Sequence, residues 1–218
     1  LKDSKREEYV QEVIKTIKEK NIKFVRLQFI DINGILKSFS VSTKFIEPTL
    51  AEGQAFDGSS ITGFGSIEES DMVVIPDPTT FNVIPWRKEE IATCRMICDI
   101  YLPDGKRFEG DPRYVLQRAV KKAQEMGYKY VCAPELEFFI VNKIDERVVP
   151  TPIDLHGYFD MNPGGLTEDL RREMADMAEK FGITVEVSHH EVAKSQNEID
   201  FKYGEAVDTA DRTITMKM

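Results

Sequence analysis

Pro134-Glu135-Leu136-Glu137-Phe138-Phe139 narrows the choice of fold more than any other stretch of this chain. Along an extended strand, successive side chains alternate between faces. Glu135 and Glu137 therefore share one face, and Leu136, Phe138 and Ile140 share the other. Such a strand belongs in a sheet with one apolar face turned to a core. Two carboxylates side by side on the other face repel each other and resist desolvation. Either that face is solvated, as in many antiparallel sheets, or a cation lies against it. The segment alone leaves both readings open.

A second segment bears on the choice. Residues 184–203 read as two strands, TVEVSHHEV and QNEIDFKY, around a short turn. With a two-residue turn at 194–195, Glu191 falls directly opposite Glu198, with Cβ atoms roughly 5 Å apart. Like charges so placed destabilise a sheet unless positive charge lies between them. A plain polar hairpin tip is the other reading. Taken with Glu135 and Glu137, the pattern is four carboxylates on neighbouring strands with few basic residues among them. All-oxygen ligands favour Mg²⁺ or Mn²⁺ over zinc, and paired-metal carboxylate centres commonly handle phosphates. His189-His190 hints at zinc, but no third His or Cys stands at a useful spacing. Adjacent strand residues also face opposite ways. A glycosidase pairing Glu135 with Glu191 is a further reading of the acids alone.

Composition excludes other classes. Twenty-nine Lys and Arg against 38 Asp and Glu give a net charge of −9 over 218 residues. A global basic footprint for nucleic acid is absent. No apolar run approaches the roughly 20 residues that span a bilayer. The stretch LKDSKREEYVQEVIKTIKEK lacks the apolar segment of a signal peptide, and the expected cytoplasmic location rests on the acidic balance and on cysteine usage that fits a reducing compartment. Cys94, Cys98 and Cys132 are an odd number without a CxxC pair, which argues against a disulfide framework. Cys94 and Cys98 are expected as buried thiols. No GxxxxGK[ST] phosphate loop occurs, and Gly63-Phe64-Gly65 lacks the strand–turn–helix context of a dinucleotide site.

Along the chain, residues 4–20 predict a helix, with Ser4 and Glu7 as a capping box. Apolar runs flanking Asn33-Gly34 predict a hairpin. Residues 52–70, rich in Gly, Ser and acids, read as a long loop. MVVIPD, PTTFNVIPW and ATCRMICDIY read as strands. Asp111-Pro112 has the chemistry of an N-cap followed by a first helical residue, with a stop at Gly127. VCAPELEFFIV is a predicted strand, 143–165 a loop, and 167–181 a helix ending at Gly182. The fold class is therefore α+β, with a helix plus small sheet over 1–105 and the first part of a second domain over 106–218. The chain begins at Leu1 and stops within the helix-like DTADRTITMKM, so a piece of a longer protein is expected.

Six motifs in order carry a family resemblance: FDGSS at 56–60, IEESDM at 67–72, FEGDPR at 108–113, PELEFF at 134–139, GYFD at 157–160 and HHEVAKSQNEIDFKY at 189–203. Together they resemble type I glutamine synthetase of bacteria and archaea. The spacing of Glu191 and Glu198 is one residue shorter than in part of that family, which is similar to the subgroup typified by Gram-positive bacteria and many archaea. The resemblance implies an N-terminal β-grasp domain and the start of a catalytic domain, about half of a family member. It implies ATP-dependent ligation of ammonia to glutamate through γ-glutamyl phosphate, in a homo-oligomeric dodecamer of two hexameric rings with active sites shared between subunits. This half alone is then expected to be inactive.

By resemblance, Glu137, Glu191 and Glu198 match the ligands of one Mg²⁺ or Mn²⁺, and Glu135 matches a ligand of a second. Glu186 and Tyr203 match positions near the nucleotide; strand parity requires a bulge between Glu186 and Glu191. Asp57 matches the residue that attracts ammonium and takes its proton, with Ser60, Tyr158 and Glu191 completing that pocket. Ser66 stands where the subgroup usually carries an Arg that helps glutamine inhibit, so weakened glutamine feedback is expected. Activation by 2-oxoglutarate and regulatory protein partners are further expectations, with Arg26 and Arg87 as candidate carboxylate contacts. Two rivals share the fold: a ligase of bulkier amines or polyamines, and a non-catalytic structural or regulatory relative. Intact Asp57, Ser60 and Tyr158 favour ammonia over the first, and the four intact glutamates favour catalysis over the second.

Overall fold

The computed structural model describes residues 3–65, 70–87, 92–142 and 150–218. They form two compact units, residues 1–130 and 131–218. Ser66, and with it the feedback expectation, lies outside the described residues, as does Ile67-Glu68-Glu69 of the second motif.

The first unit opens with α1 (Asp3–Glu19), whose Val10, Val13 and Ile17 recur at helical spacing and are buried. Strands β1 (Phe24–Ile30) and β2 (Leu36–Ser42) pair antiparallel as the sequence predicts. Their connection spans 31–35. Asp31 caps it by accepting from the amides of Asn33 and Ile35, both at 2.9 Å, and Gly34 supplies the positive φ of 74°. Then come α2 (Ile46–Glu52), β3 (Gln54–Asp57), β4 (Asp71–Pro76), β5 (Asn82–Val83) and β6 (Thr93–Tyr101). The main sheet order is β2-β1-β6-β4-β3, with β1 and β6 parallel and β5 also on β6. The core joins α1 to Val25, Leu27 and Phe29 of β1, Val74 of β4 and Met96 and Ile100 of β6. Cys94 and Cys98 are buried free thiols, as expected, and burial pushes the Cys94 thiol up to about 12.

Two elements depart from the sequence reading. The expected loop over 52–70 begins with strand β3, paired to β4 from Gln54↔Val74 to Asp57↔Asp71. It is a short edge strand without a clean apolar alternation, which hid it. Helix α3 (Pro112–Glu125) starts and stops as predicted, with the Asp111 carboxylate accepting from Arg113 N at 3.0 Å. It packs on β6, and the first compact unit extends through it to residue 130, beyond the 105/106 division expected from sequence. Charge holds it there. Arg113, 8% exposed, reaches Asp77 at 2.8 Å and Asp99 at 2.7 Å. Arg107 reaches Asp99 at 2.8 Å and Asp111 at 3.2 Å, and its guanidinium lies over the rings of Tyr101 and Tyr114.

The second unit contains β7 (Val131–Cys132), β8 (Glu135–Phe139), β9 (Val141–Asn142), β10 (Thr151–Pro152), α4 (Leu166–Lys180), β11 (Val185–His190), β12 (Gln196–Phe201), β13 (Gly204–Glu205) and α5 (Ala206–Met216). The predicted strand VCAPELEFFIV is thus three short pieces. Its centre is an antiparallel sheet of order β11-β12-β8, against which α4 packs. Along β12, Asn197, Ile199 and Phe201 are at most 1% exposed. Their direct partners on β8, Phe138 for Asn197 and Leu136 for Ile199, share that apolar face. Glu198 and Asp200 are consequently on the other. Among the described residues, no helix is long and apolar enough to cross a membrane.

Candidate metal centre

Glu198 of β12, the middle strand, pairs with Glu137 on β8 and with His189 on β11. All three side chains therefore occupy one face. The turn assumed from the sequence is wrong. Residues 191–195 connect the strands, so Glu191 N donates to Gln196 O at 2.8 Å and Glu191 is not directly opposite Glu198. The reason is backbone conformation: Ser195, a non-glycine at φ 60°, turns the chain one step earlier than a two-residue hairpin would.

The longer connection still delivers Glu191 to the cluster. Carboxylate oxygens of Glu137, Glu191 and Glu198 all lie within 4.8 Å of one another. Glu191 and Glu198 are 9% and 6% exposed, whereas Glu137 is exposed on the edge strand β8. Gln196 Nε2 donates to Glu137 Oε2 and fixes that carboxylate. Among the described residues, none of the three is ion-paired with Lys or Arg. The His189 ring stands near, at 3.5 Å from Glu191 and 3.6 Å from Glu198. Burial, then hydrogen bonding with Asp200 and Glu191 and their negative charges, pushes the Glu198 carboxyl up to about 8. Three oxygen donors converging on a patch without a fixed cationic partner fit a hard divalent cation, whose remaining ligand positions water or other oxygens would fill.

Glu135 lies one same-face step along β8, opposite Asp200 and outside the trio. Asp200 was not singled out from sequence. Its position two residues after Glu198 places it on the acidic face, and that parity was the available signal. A second convergent set joins His189, Glu198 and Asp200 within 4.8 Å, and Asp200 Oδ1 is a buried oxygen with no hydrogen-bond partner among the described residues. The two histidines do face opposite ways: His189 meets the acids, while His190, 2% exposed, reaches Asp154 at 2.9 Å.

The other candidates are more dispersed. Tyr158 is exposed, stacks on Phe159 with centroids 4.0 Å apart, and meets the His189 ring edge-on at 5.4 Å. The register of β11 and β12 shifts between Val185 and Val187, so a bulge falls at Glu186, which is exposed. Tyr203 is 60% exposed just past β12 and lies outside the carboxylate sets. In the first unit, Asp57 ends β3 and Ser60 follows in an exposed turn. Hydrogen bonds from the Ser59 hydroxyl and amide hold the Asp57 carboxyl below the usual range.

Fold and site together define an α+β protein with a carboxylate-lined candidate cation centre. Residues 21–103 match the family model for the glutamine synthetase β-grasp domain, and residues 109–218 match that for the glutamine synthetase catalytic domain. The chain belongs to the glutamine synthetase family. It is 47% identical over 211 residues to a glutamine synthetase of Thermotoga maritima, covering 96% of this chain and 48% of that protein. It is 46% identical over 209 residues to one of Methanosarcina mazei, covering 95% and 46%. The chain thus spans about half the length of the curated relatives it matches. Among solved structures, a GmaS/ADP complex superposes with a TM-score of 0.83 at 24% identity, covering 94% of this chain and 47% of that one. Plasmodium falciparum glutamine synthetase superposes at 0.82 and 24%, covering 95% and 47%. These two similarities carry the fold alone.

Proposed function

We propose that this chain supplies part of the active site of a glutamate–ammonia ligase. In that reading, residues 1–105 form the β-grasp segment and 106–218 open the catalytic segment. The γ-carboxylate of glutamate takes the γ-phosphoryl group of ATP, releasing ADP, and ammonia then displaces phosphate from the acyl phosphate to give glutamine. The observation that carries the reading is the convergence of Glu137, Glu191 and Glu198 without a Lys or Arg partner among the described residues. These three would hold one Mg²⁺ or Mn²⁺, and Glu135 would contribute to a second. Bound there, the cations would neutralise charge on carboxylate and phosphate oxygens.

The chain's own residues have separate tasks. Glu186 and Tyr203 are assigned to the nucleotide. Asp57 attracts ammonium and accepts its proton, for which an exposed, ionised carboxylate is suited. Ser60, Tyr158 and Glu191 complete that pocket. The named relatives at 46–47% identity are glutamine synthetases, which supports ammonia rather than a bulkier amine as acceptor. The working assembly is a cytoplasmic dodecamer of two hexameric rings with shared active sites. Glutamine and 2-oxoglutarate are its proposed effectors, with regulatory protein partners. Ser66, in place of an Arg, weakens feedback by glutamine.

The test is Glu137→Gln in the full-length protein. It should remove Mn²⁺ binding at one site together with ATP-dependent glutamine formation. Metal titration and turnover that both stay unchanged would refute the reading. Mixing Asp57→Ala subunits with Glu137→Gln subunits should restore part of the activity, because some shared sites then receive two intact halves. Properly mixed oligomers that stay inactive would argue against sharing.

A further inference from the structure

Glu191 lies beyond the β11–β12 ladder, so strand register does not place its carboxylate. The connection 191–195 must be held by something else. Ser195 is fully buried at φ 60°, and its carbonyl accepts from Ile140 N at 3.1 Å. Its hydroxyl accepts from the amides of Ile153 at 2.7 Å and Asp154 at 3.0 Å. Its own amide donates to Asp154 Oδ1 at 3.1 Å. The same oxygen accepts from His156 N at 3.3 Å and faces His190 Nε2 at 2.9 Å. The other nitrogen of that buried ring donates to the Glu191 carbonyl at 2.7 Å. One carboxylate oxygen of Asp154 thus fastens both ends of the loop, one through Ser195 and the other through the His190 ring.

We infer that Asp154 is a positioning residue for the cation ligand Glu191, acting through His190 and Ser195. This rests on the metal-centre reading above and adds to it a residue outside the carboxylate set. The geometry assigns the effect to the Oδ1 acceptor. A non-glycine held in the left-handed region stores strain and persists only where its surroundings fix it, and Asp154 supplies much of that fixing. Residues that orient a ligand this way typically cost ten- to a hundredfold in metal affinity when removed.

The experiment is a Mn²⁺ titration of the full-length protein, read by electron paramagnetic resonance well below each variant's melting temperature. Asp154→Ala should weaken binding at the Glu191 site about ten- to a hundredfold. Asp154→Asn, which keeps an acceptor oxygen at Oδ1, should recover most of it. Ser195→Ala leaves the Asp154 carboxylate in place and removes only the hydroxyl's bonds, from the Ile153 and Asp154 amides and to the Asp154 carbonyl at 3.4 Å, so it should give a smaller loss. This variant serves if Asp154→Ala does not fold. A buried substitution on the same unit's apolar side, Ile183→Ala, should lower the melting temperature and leave Mn²⁺ affinity unchanged. Absence of Mn²⁺ binding in the unsubstituted protein would overturn the metal reading and this inference with it. Normal binding there, with affinity equally retained in Asp154→Ala and Ser195→Ala, would overturn the inference alone.

Discussion

Each unit of this chain gathers acids, and the two units treat them differently. In the first, Asp77, Asp99 and Asp111 share the guanidinium groups of Arg107 and Arg113 over distances of 2.7 to 3.2 Å. In the second, Glu137, Glu191, Glu198 and Asp200 crowd one sheet face, where His189 is the nearest basic side chain among the described residues. Two of these acids, Asp77 and Glu198, differ in proton affinity, while burial raises Asp111 of the first cluster despite Arg107. Asp77 is pushed up by burial, yet the neighbouring Arg113 and Thr79 outweigh that and hold it below the usual carboxylate range. Glu198 is driven up to about 8. A cluster that serves only to fasten a helix can carry its own counter-charge. A cluster whose charge must meet a cation from solution cannot, because an internal Arg would occupy the place.

The sharpest way to break this contrast is to remove the counter-charge from the first unit. Arg113→Ala takes from Asp77 its ion pair and leaves Asp99 with Arg107 alone, and should cost about 3–5 kcal/mol, read by denaturant unfolding. A loss under about 1 kcal/mol would mean that these pairs are worth no more than surface ones. Supplying the missing charge in the second unit should act in the opposite sense. Mn²⁺ at a hundred times its Kd should stabilise the protein by about 2.7 kcal/mol per site. Glu198→Gln should abolish the increment from its site, and an increment that survives would place that cation elsewhere.

The pH dependence contributed by Asp77 and by Glu198 should differ in sign. Glu198 has a folded pKa of about 8 against an ordinary 4.5. Between those values the folded state holds a proton that the unfolded state has released. Metal-free stability should therefore fall as pH rises from 4.5 to 8, by at most about 1.4 kcal/mol per pH unit. Asp77 works the other way: its contribution is present above pH 3.8 and is lost as pH falls through its lower folded value. Thermal melts of metal-free protein across pH 3 to 8, with Glu198→Gln as control, would show both limbs. An upper limb that is flat, or equal in the variant, would contradict the assignment to Glu198. The smallest effect belongs to Asp57→Ala. It removes an exposed side chain at the end of an edge strand and should change stability by less than about 0.5 kcal/mol; under the proposed function it should raise the ammonium KM of the full-length protein.

What could be read in the sequence tracks how local the physics is. The Asp111-Pro112 start of α3, its stop at Gly127 and the shared face of Glu135 and Glu137 follow from one or two residues each. The β11–β12 connection depends on Ser195 adopting φ 60°, and its fastening comes from Asp154, some 40 positions away. No local pattern announces either. Helix α3 packs against the first unit through buried Arg113 rather than an apolar stripe, so its packing partner is not legible from periodicity, whereas the family models divide the chain between 103 and 109, beside the boundary read from sequence. Asp57 alone reads as a turn residue before Gly58, and only the surrounding FDGSS motif singled it out.

The loop at 191–195 also determines where this part of the chain tolerates a change in length. Its ends are tied by side-chain hydrogen bonds to Asp154, and Val192, Ala193 and Lys194 between them are exposed. A residue added or removed there alters the span between the clustered carboxylates of Glu191 and Glu198 without touching the ladder on either side. The same insertion within Gln196–Phe201 would reverse every side chain beyond it, turning acids into the core and Ile199 or Phe201 out to solvent. Length variation among descendants of this fold should therefore collect at the tip and spare the strand, whatever happens to the chemistry.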